Sequence, residues 1–139
     1  MSAEENKAIE RRIVDEALNE GNLAIMDEVV APQYVFHFPY MEVKGPEGCK
    51  QFANMMRNAF PDYHVTIDDI IGEGDMVAVR ATVRGTHRGE FIGIAPTGKK
   101  VEIKEAVFIQ FADGKAVEAW SYVDNLSVFQ QLGVNPPAG

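Results

Sequence analysis

Residues 105–124 read EAVFIQFADGKAVEAWSYVD, and this stretch decides how the rest of the chain can fold. Two runs of alternating apolar residues flank Asp113 and Gly114, a pair that is typical of two-residue β-hairpin loops. Paired residues project from the same face of a hairpin. Counting outward from the loop predicts three pairs: Ala112 with Lys115, Val107 with Trp120, and Glu105 with Tyr122.

One face of this hairpin then combines aliphatic and aromatic side chains with two acids, Glu105 and Asp124. Two carboxylates on an apolar face are costly, because a buried charge must be paired or neutralised. Ionisable groups in such surroundings have perturbed pKa values, which is typical of functional sites. The hairpin therefore predicts a candidate active site on its inner face.

The composition is that of a globular protein, and 139 residues fit a single domain over 1–139. The net charge of -8 argues against nucleic acid and membrane as partners, since both attract basic faces. The single cysteine, Cys49, excludes an internal disulfide and favours a cytoplasmic location. The N-terminal stretch MSAEENKAIERR lacks the apolar core of a signal peptide, and no apolar run approaches the length of a membrane span.

The N-terminal half of the chain has helical periodicity. Apolar residues recur every three or four positions over 3–20, and Ser2 and Glu5 have the spacing of a capping box. A second, short helix is expected next, and the aromatic segment 34–38 predicts a strand. A loop follows it, and a third helix then begins with Pro46 at its first position.

From residue 64 onward the apolar residues recur with period two, which predicts strands over 64–71, 76–86, 100–111 and 115–124. A helical turn over 126–132 and a flexible tail over about 134–139 complete the chain. Helices followed by a meander of strands predict an α+β fold, with the N-terminal helices packed on a curved antiparallel sheet. Such a sheet forms a cone or barrel that encloses an apolar pocket.

Several short motifs of the chain occur together and in order in one known family. They are YVFH at 34–37, GPEG at 45–48, AFPD at 59–62, GEGDMVAVR at 72–80, GTHRGEF at 85–91, PTGKKV at 96–101, DGK at 113–115, Trp120 with Asp124, and QQLG at 130–133. By this ordered set the chain resembles the SnoaL-like polyketide cyclase family, within the nuclear transport factor 2-like superfamily. The set is specific for the family and much less so for the reaction, because this fold carries many functions.

The resemblance implies a cystatin-like α+β barrel with a deep apolar pocket, assembled as a homodimer or a homotetramer. It implies ring closure by an intramolecular aldol reaction, with no metal and no organic cofactor. An aspartate in the pocket is the acid/base residue of the family, and Asp124 is the residue that matches it. Ala119 and Gln110 depart from the residues common in relatives, which leaves the shape of the pocket and the substrate open.

Three residues are candidates for catalysis, and each has a plainer alternative. Asp124 would take a proton from carbon, or it caps the helical turn that follows it. Glu105 would line the pocket and, as an alternative to His37, stabilise or reprotonate the substrate oxygen, or it forms a structural hydrogen bond or salt bridge at the barrel mouth. His37 would stabilise or reprotonate the substrate oxygen, or it is a satisfied residue of the core or rim.

The candidate substrate-binding residues are Trp120, Tyr122, Val107, Phe52, Met56 and His87, although large apolar side chains are more often simply core. His87 alternatively holds its loop by hydrogen bonds. The three histidines lack the spacing of a zinc motif, so no metal site is expected.

The leading functional prediction is a polyketide cyclase of the ester cyclase type, acting on a small apolar carbonyl compound by acid/base chemistry. One alternative is an isomerase, and another is an epoxide hydrolase, which would need an arginine such as Arg80 between two carboxylates in the pocket. The alternative from another class is a non-catalytic small-ligand-binding protein. An enclosed acid without an ion-pair partner would favour catalysis over binding alone.

Overall fold

Most of the helical structure precedes the main sheet, as the sequence predicted. The computed structural model describes residues 1–135. In chain order the helices are α1 (Ala3–Arg12), α2 (Ile25–Val29), α3 (Gly45–Ala59) and α4 (Asn125–Leu132). The capping box predicted for Ser2 and Glu5 is present at the start of α1. A π-helical segment, Ile13–Asn19, continues α1 at its other end.

Six strands form one curved sheet that does not close. They are β1 (Val30–Phe38), β2 (Met41–Lys44), β3 (His64–Glu73), β4 (Met76–Thr86), β5 (Lys100–Ala112) and β6 (Lys115–Val123). Their order in the sheet is β2-β1-β6-β5-β4-β3. The short strand β2 occupies a segment that the sequence indicated as loop. The sheet is mixed rather than wholly antiparallel, because β1 runs parallel to β6.

The hairpin between β5 and β6 turns where the sequence predicted. Asp113 and Gly114 have φ values of 51° and 79°, so both adopt the left-handed conformation that a two-residue type I′ loop requires. Ala112 pairs with Lys115 on either side of this loop. The predicted start of the hairpin is therefore confirmed.

Further from the loop, the predicted pairing is wrong by one residue. The register shifts between the pairs of Gln110 and Phe111, and Val117 is the extra residue that bulges from β6. A one-residue shift turns every later side chain to the opposite face of the sheet. Trp120 and Tyr122 accordingly point outward, away from the helices, and the partner of Glu105 is Val123 rather than Tyr122.

The helices cover the inner face of the sheet and are fixed to it by polar contacts. The Asn19 side chain accepts a hydrogen bond from Val65 N–H at 2.7 Å and donates one to the Val65 carbonyl at 2.8 Å. The Arg57 guanidinium of α3 donates to the Leu18 carbonyl. These contacts hold the first helix, its π-helical end and α3 in one arrangement over β3. Within residues 1–135 no helix is long and apolar enough to cross a membrane.

The prediction of a single domain over 1–139 stays a prediction. So does the flexible tail, since its residues 136–139 lie outside the described residues.

Candidate functional site

A cavity lies between the helices and the inner face of the sheet. The space open to the centres of water molecules is about 120 Å³. One water needs roughly 10–15 Å³ by that measure, so this cavity exceeds a packing defect. Its wall is mostly apolar, and it includes Phe52 and Met56 of α3 and Val107 of β5. These are three of the six residues predicted to bind substrate.

Glu105 faces this cavity from β5, in series with Ile103, Val107 and Ile109. Burial raises the pKa of its carboxyl to about 7, and a hydrogen bond from the Ser121 hydroxyl opposes that rise. The hydrogen bond is long, with 3.5 Å between Ser121 Oγ and Glu105 Oε2. Within residues 1–135 the carboxyl has no ion-pair partner, so the lysine or arginine expected of a structural salt bridge is absent there.

A second carboxyl, that of Glu10, lines the same cavity from α1. The residue is only 8% exposed. Its pKa is raised to about 8, mainly by burial and in addition by the negative charge of Glu105. The sequence analysis did not find this residue. The available signal was its position four residues before Val14 and seven before Ala17, on the buried stripe of the first helix.

Four further polar side chains in the cavity are neutral at pH 7, namely those of Tyr34, Tyr40, Cys49 and Tyr63. Burial raises the pKa of the Tyr34 and Tyr63 hydroxyls well above the ordinary value. Burial also raises the pKa of the Cys49 thiol to about 12, with the charge of Glu10 as a second cause. A thiol with so little thiolate is a poor nucleophile. The two glutamates are therefore the cavity groups that can exchange a proton near neutral pH.

Asp124 does not enter the cavity, and the placement predicted for it is wrong. The residue is exposed, and its carboxylate accepts a hydrogen bond from Ser127 N–H at 3.2 Å, so it caps the start of α4. Strand β6 ends at Val123, whose side chain lines the cavity, and the chain turns outward directly after it. The catalytic role of Asp124 thus lacks the enclosed carboxylate on which it was based.

His37 lies on the outer face of the sheet, in a shallow depression that Trp120 and Tyr122 share. Its Nε2 is 2.8 Å from an oxygen of Glu118. Tyr122 is 62% exposed. Neither aromatic residue lines the cavity, for which the bulge in β6 is the reason. Of the three predicted catalytic residues, the structure brings only Glu105 to the cavity.

His87 is fully buried but does not line the cavity. Its Nδ1 accepts a hydrogen bond from Thr97 N–H at 3.2 Å, which ties together the two ends of the loop between β4 and β5. The plainer of its two predicted roles, holding this loop, agrees with that contact. Phe91 of the same loop does reach the cavity.

Arg80 is also on the outer face, where it forms an exposed ion pair with Asp69 at 2.6 Å. In the part of the chain that the structure describes, no lysine, arginine or histidine lines the cavity. The same part contains no cluster of His, Cys, Asp and Glu side chains suited to hold a metal ion. As far as residues 1–135 form it, the cavity therefore combines apolar walls with acids and has no cationic group.

Comparison with known proteins gives one consistent family. The model of the family described as SnoaL-like polyketide cyclase matches residues 8–132. Aklanonic acid methyl ester cyclase AcmA of Streptomyces galilaeus is 27% identical over 133 residues, which are 93% of this chain and 91% of that protein. Aklanonic acid methyl ester cyclase DauD of Streptomyces sp. (strain C5) is 28% identical, with 88% of this chain and 78% of that protein covered.

Solved structures show the same fold. IdmH of Streptomyces antibioticus, provisionally described as a polyketide cyclase, is 33% identical with a TM-score of 0.80, over 93% of this chain and 99% of that one. AclR of Streptomyces galilaeus, provisionally described as a hydroxylase, is 32% identical with a TM-score of 0.83, over 99% of this chain and 91% of that one. The predicted α+β cone fold is confirmed by these similarities.

Proposed function

This chain belongs to the SnoaL-like polyketide cyclase family, and we propose that it closes a ring within one small apolar carbonyl compound, with the Glu105 carboxylate as the base. A cyclase-type enzyme is what the family and the named relatives support. The observation that carries the choice of Glu105 is an unpaired carboxyl in an apolar cavity. A carboxyl with a pKa of about 7 can take a proton from carbon near neutral pH.

The reaction that fits these groups is an intramolecular aldol addition. Glu105 takes a proton from the carbon beside one carbonyl, and that carbon then attacks a second carbonyl of the same molecule. The apolar walls hold the substrate folded so that the two carbons meet, and such positioning supplies a large part of the acceleration in intramolecular reactions.

The charges of the cavity indicate which substrates it accepts. Among residues 1–135, two acids and no cation line it, so a substrate with a free carboxylate would be repelled and would lose its solvation without compensation. We propose a neutral substrate, in which any carboxyl group is esterified. The substrate named for the curated relatives is a methyl ester, which fits this charge requirement.

The alternatives fit the site less well or need a separate test. An epoxide hydrolase would need an arginine between acids in the pocket, and Arg80 is paired with Asp69 on the outer face. An isomerase requires a base and a neutral hydrogen-bond donor, both of which the cavity offers, so it stays a second candidate. Binding without catalysis predicts no turnover and no exchange of substrate protons.

The test compares Glu105→Gln with Glu102→Gln, a change on the exposed face of the same strand. Aklanonic acid methyl ester serves as substrate, with ring closure and exchange of its acidic carbon-bound protons in D2O as the two readouts. We expect Glu105→Gln to lower the rate by roughly 10²–10⁴, the usual contribution of a general base. Full activity of Glu105→Gln, or a wild type that neither cyclises nor exchanges the ester, would refute the proposal.

We also propose that the chain forms a homodimer or a homotetramer through the outer face of the sheet. Phe108 and Tyr122 are 41% and 62% exposed there, and their rings meet edge to face at 6.2 Å. Exposed aromatic clusters of this kind are typical of protein interfaces. A cytoplasmic location is proposed from the unpaired thiol of Cys49.

A further inference from the structure

Glu10 is a buried carboxyl group in the candidate active site that the mechanism above does not use. It projects from α1 into the cavity, whereas Glu105 projects from β5 on the sheet side. Within residues 1–135 neither a hydrogen bond nor a cation offsets the burial of Glu10. An unpaired buried acid costs stability, and retaining it without any structural partner is typical of functional groups.

The two carboxyl groups influence each other, because both occupy one enclosed apolar space. The negative charge of Glu105 disfavours ionisation of Glu10. Among the side chains of residues 1–135, the Ser121 hydroxyl is the one that donates a hydrogen bond to either acid, and it favours ionisation of Glu105. Between about pH 7 and pH 8 the main charged form of the pair therefore has one negative charge, on Glu105 rather than on Glu10.

The remaining titratable groups that line the cavity do not change this assignment. They are Tyr34 on β1, Tyr40 between β1 and β2, Cys49 on α3 and Tyr63 before β3. Burial is the largest cause of a raised pKa in each of them, so all four stay neutral while the glutamates titrate.

We propose that Glu10 is a second catalytic residue, the neutral acid that donates a hydrogen bond and then a proton to the substrate oxygen. This inference rests on the proposed cyclisation with Glu105 as base. A neutral carboxylic acid in an apolar site is an effective donor to a developing oxyanion, because a substrate that fills the site displaces the water that would compete for its proton. It takes the role of oxygen donor that the sequence analysis left open between His37 and Glu105.

The proton balance of the reaction closes without a further reactant. Glu105 removes a proton from carbon, and the electron pair left on that carbon forms the new carbon–carbon bond. The π bond of the attacked carbonyl breaks, and its electron pair on oxygen takes the proton of Glu10. Glu105 is then protonated and Glu10 ionised, and transfer of one proton from Glu105 to Glu10 restores both.

The decisive variant is Glu10→Gln, because glutamine has the shape of a protonated glutamate and keeps a hydrogen-bond donor but cannot release a proton. Its control is Glu4→Gln, a change of an exposed glutamate on the same helix. The assay is cyclisation of aklanonic acid methyl ester across pH. The rate of wild type is expected to depend on pH in a bell shape. Its acid limb reflects the pKa of Glu105, about 7, and its alkaline limb that of Glu10, about 8.

We expect Glu10→Gln to lower kcat by roughly 10²–10³, the usual loss for an oxyanion donor, and to remove the alkaline limb while the acid limb stays. Carbon NMR of labelled glutamate carboxyls, recorded without substrate, should show a protonated Glu10 at pH 7. An ionised Glu10 at that pH, or Glu10→Gln with wild-type kcat and an intact alkaline limb, would overturn this inference alone. An active Glu105→Gln would instead overturn the proposed cyclisation.

Discussion

The imidazole of His37 on β1 stacks on the indole of Trp120 on the neighbouring strand β6, with 5.8 Å between ring centroids and 19° between ring planes. Both rings lie on the outer face of the sheet, and Glu118 and Glu42 approach the two nitrogens of His37. Nε2 of His37 thus has its hydrogen-bond partner, Glu118, outside the cavity. This arrangement gives His37 a structural setting on the surface opposite the proposed reaction.

The position of His37 predicts that His37→Gln keeps activity. Surface substitutions away from special features usually change the free energy of unfolding by no more than about 0.5 kcal/mol. If the activation free energy changes by no more than that, kcat/KM stays within about twofold of wild type. Ester cyclisation and thermal unfolding, measured on the same preparation, check this expectation. A drop of a hundredfold with unchanged unfolding would restore His37 as a catalytic candidate.

The contact between Asp124 and Ser127 N–H predicts a role in stability rather than turnover. Asp124→Ala removes the cap and should lower the free energy of unfolding by about 0.5–2 kcal/mol, whereas Asp124→Asn keeps an effective cap. We expect both variants to cyclise the ester at the wild-type rate at temperatures where they are folded. Urea unfolding and initial rates give the two readouts. Loss of turnover in a stably folded Asp124→Asn would show that the residue acts in catalysis after all.

The proposed contact through the outer face predicts that polar substitutions there separate the subunits. Phe108→Ser combined with Tyr122→Ser removes the two most exposed aromatic rings of that face. Sedimentation velocity should then give the mass of one chain, while wild type gives two or four. Leu126→Ser, a change of an exposed apolar residue on α4 rather than on the sheet, serves as the control. A monomeric wild type would contradict the proposal.

The hairpin illustrates which parts of this fold the sequence predicts. The loop residues Asp113 and Gly114 have local conformational preferences, so the turn was predicted correctly. The bulge at Val117 has no comparable signal, since the residues around it fit an alternating strand in either register. That single extra residue decides which face Trp120 and Tyr122 occupy, and it explains why their predicted position was wrong.

For a similar reason, the sequence predicted only one of the two glutamates that line the cavity. Glu105 stands out because it interrupts an apolar series on a strand, where the expected alternation is strict. Glu10 lies on a helix among other charged residues, where one acid on the buried stripe is hard to distinguish from its exposed neighbours. Its burial follows from where the helix packs on the sheet, which depends on distant contacts such as that of Asn19 with Val65.

The raised pKa values of the two cavity glutamates predict that the protein becomes less stable as pH rises. Below the ordinary carboxyl value of 4.5 both groups are protonated in the folded and the unfolded chain. In the folded chain the pKa of Glu105 is about 7 and that of Glu10 is about 8. Between pH 4.5 and these pKa values, the folded chain holds protons that the unfolded chain has released. Rising pH then favours unfolding, and the effect is complete above the folded pKa.

For Glu10 the shift from 4.5 to about 8 corresponds to on the order of 4–5 kcal/mol above pH 8, at about 1.4 kcal/mol per pKa unit. Glu10→Gln carries no charge at position 10 at any pH, so it should unfold like wild type at about pH 4, below the ordinary carboxyl pKa of 4.5, and be clearly more stable than wild type at about pH 9. Urea unfolding at both pH values gives the difference, and Glu4→Gln should follow wild type throughout. Parallel pH dependences of wild type and Glu10→Gln would mean that Glu10 is ionised in the folded protein near neutral pH, and the acid proposed to protonate the substrate would then be missing.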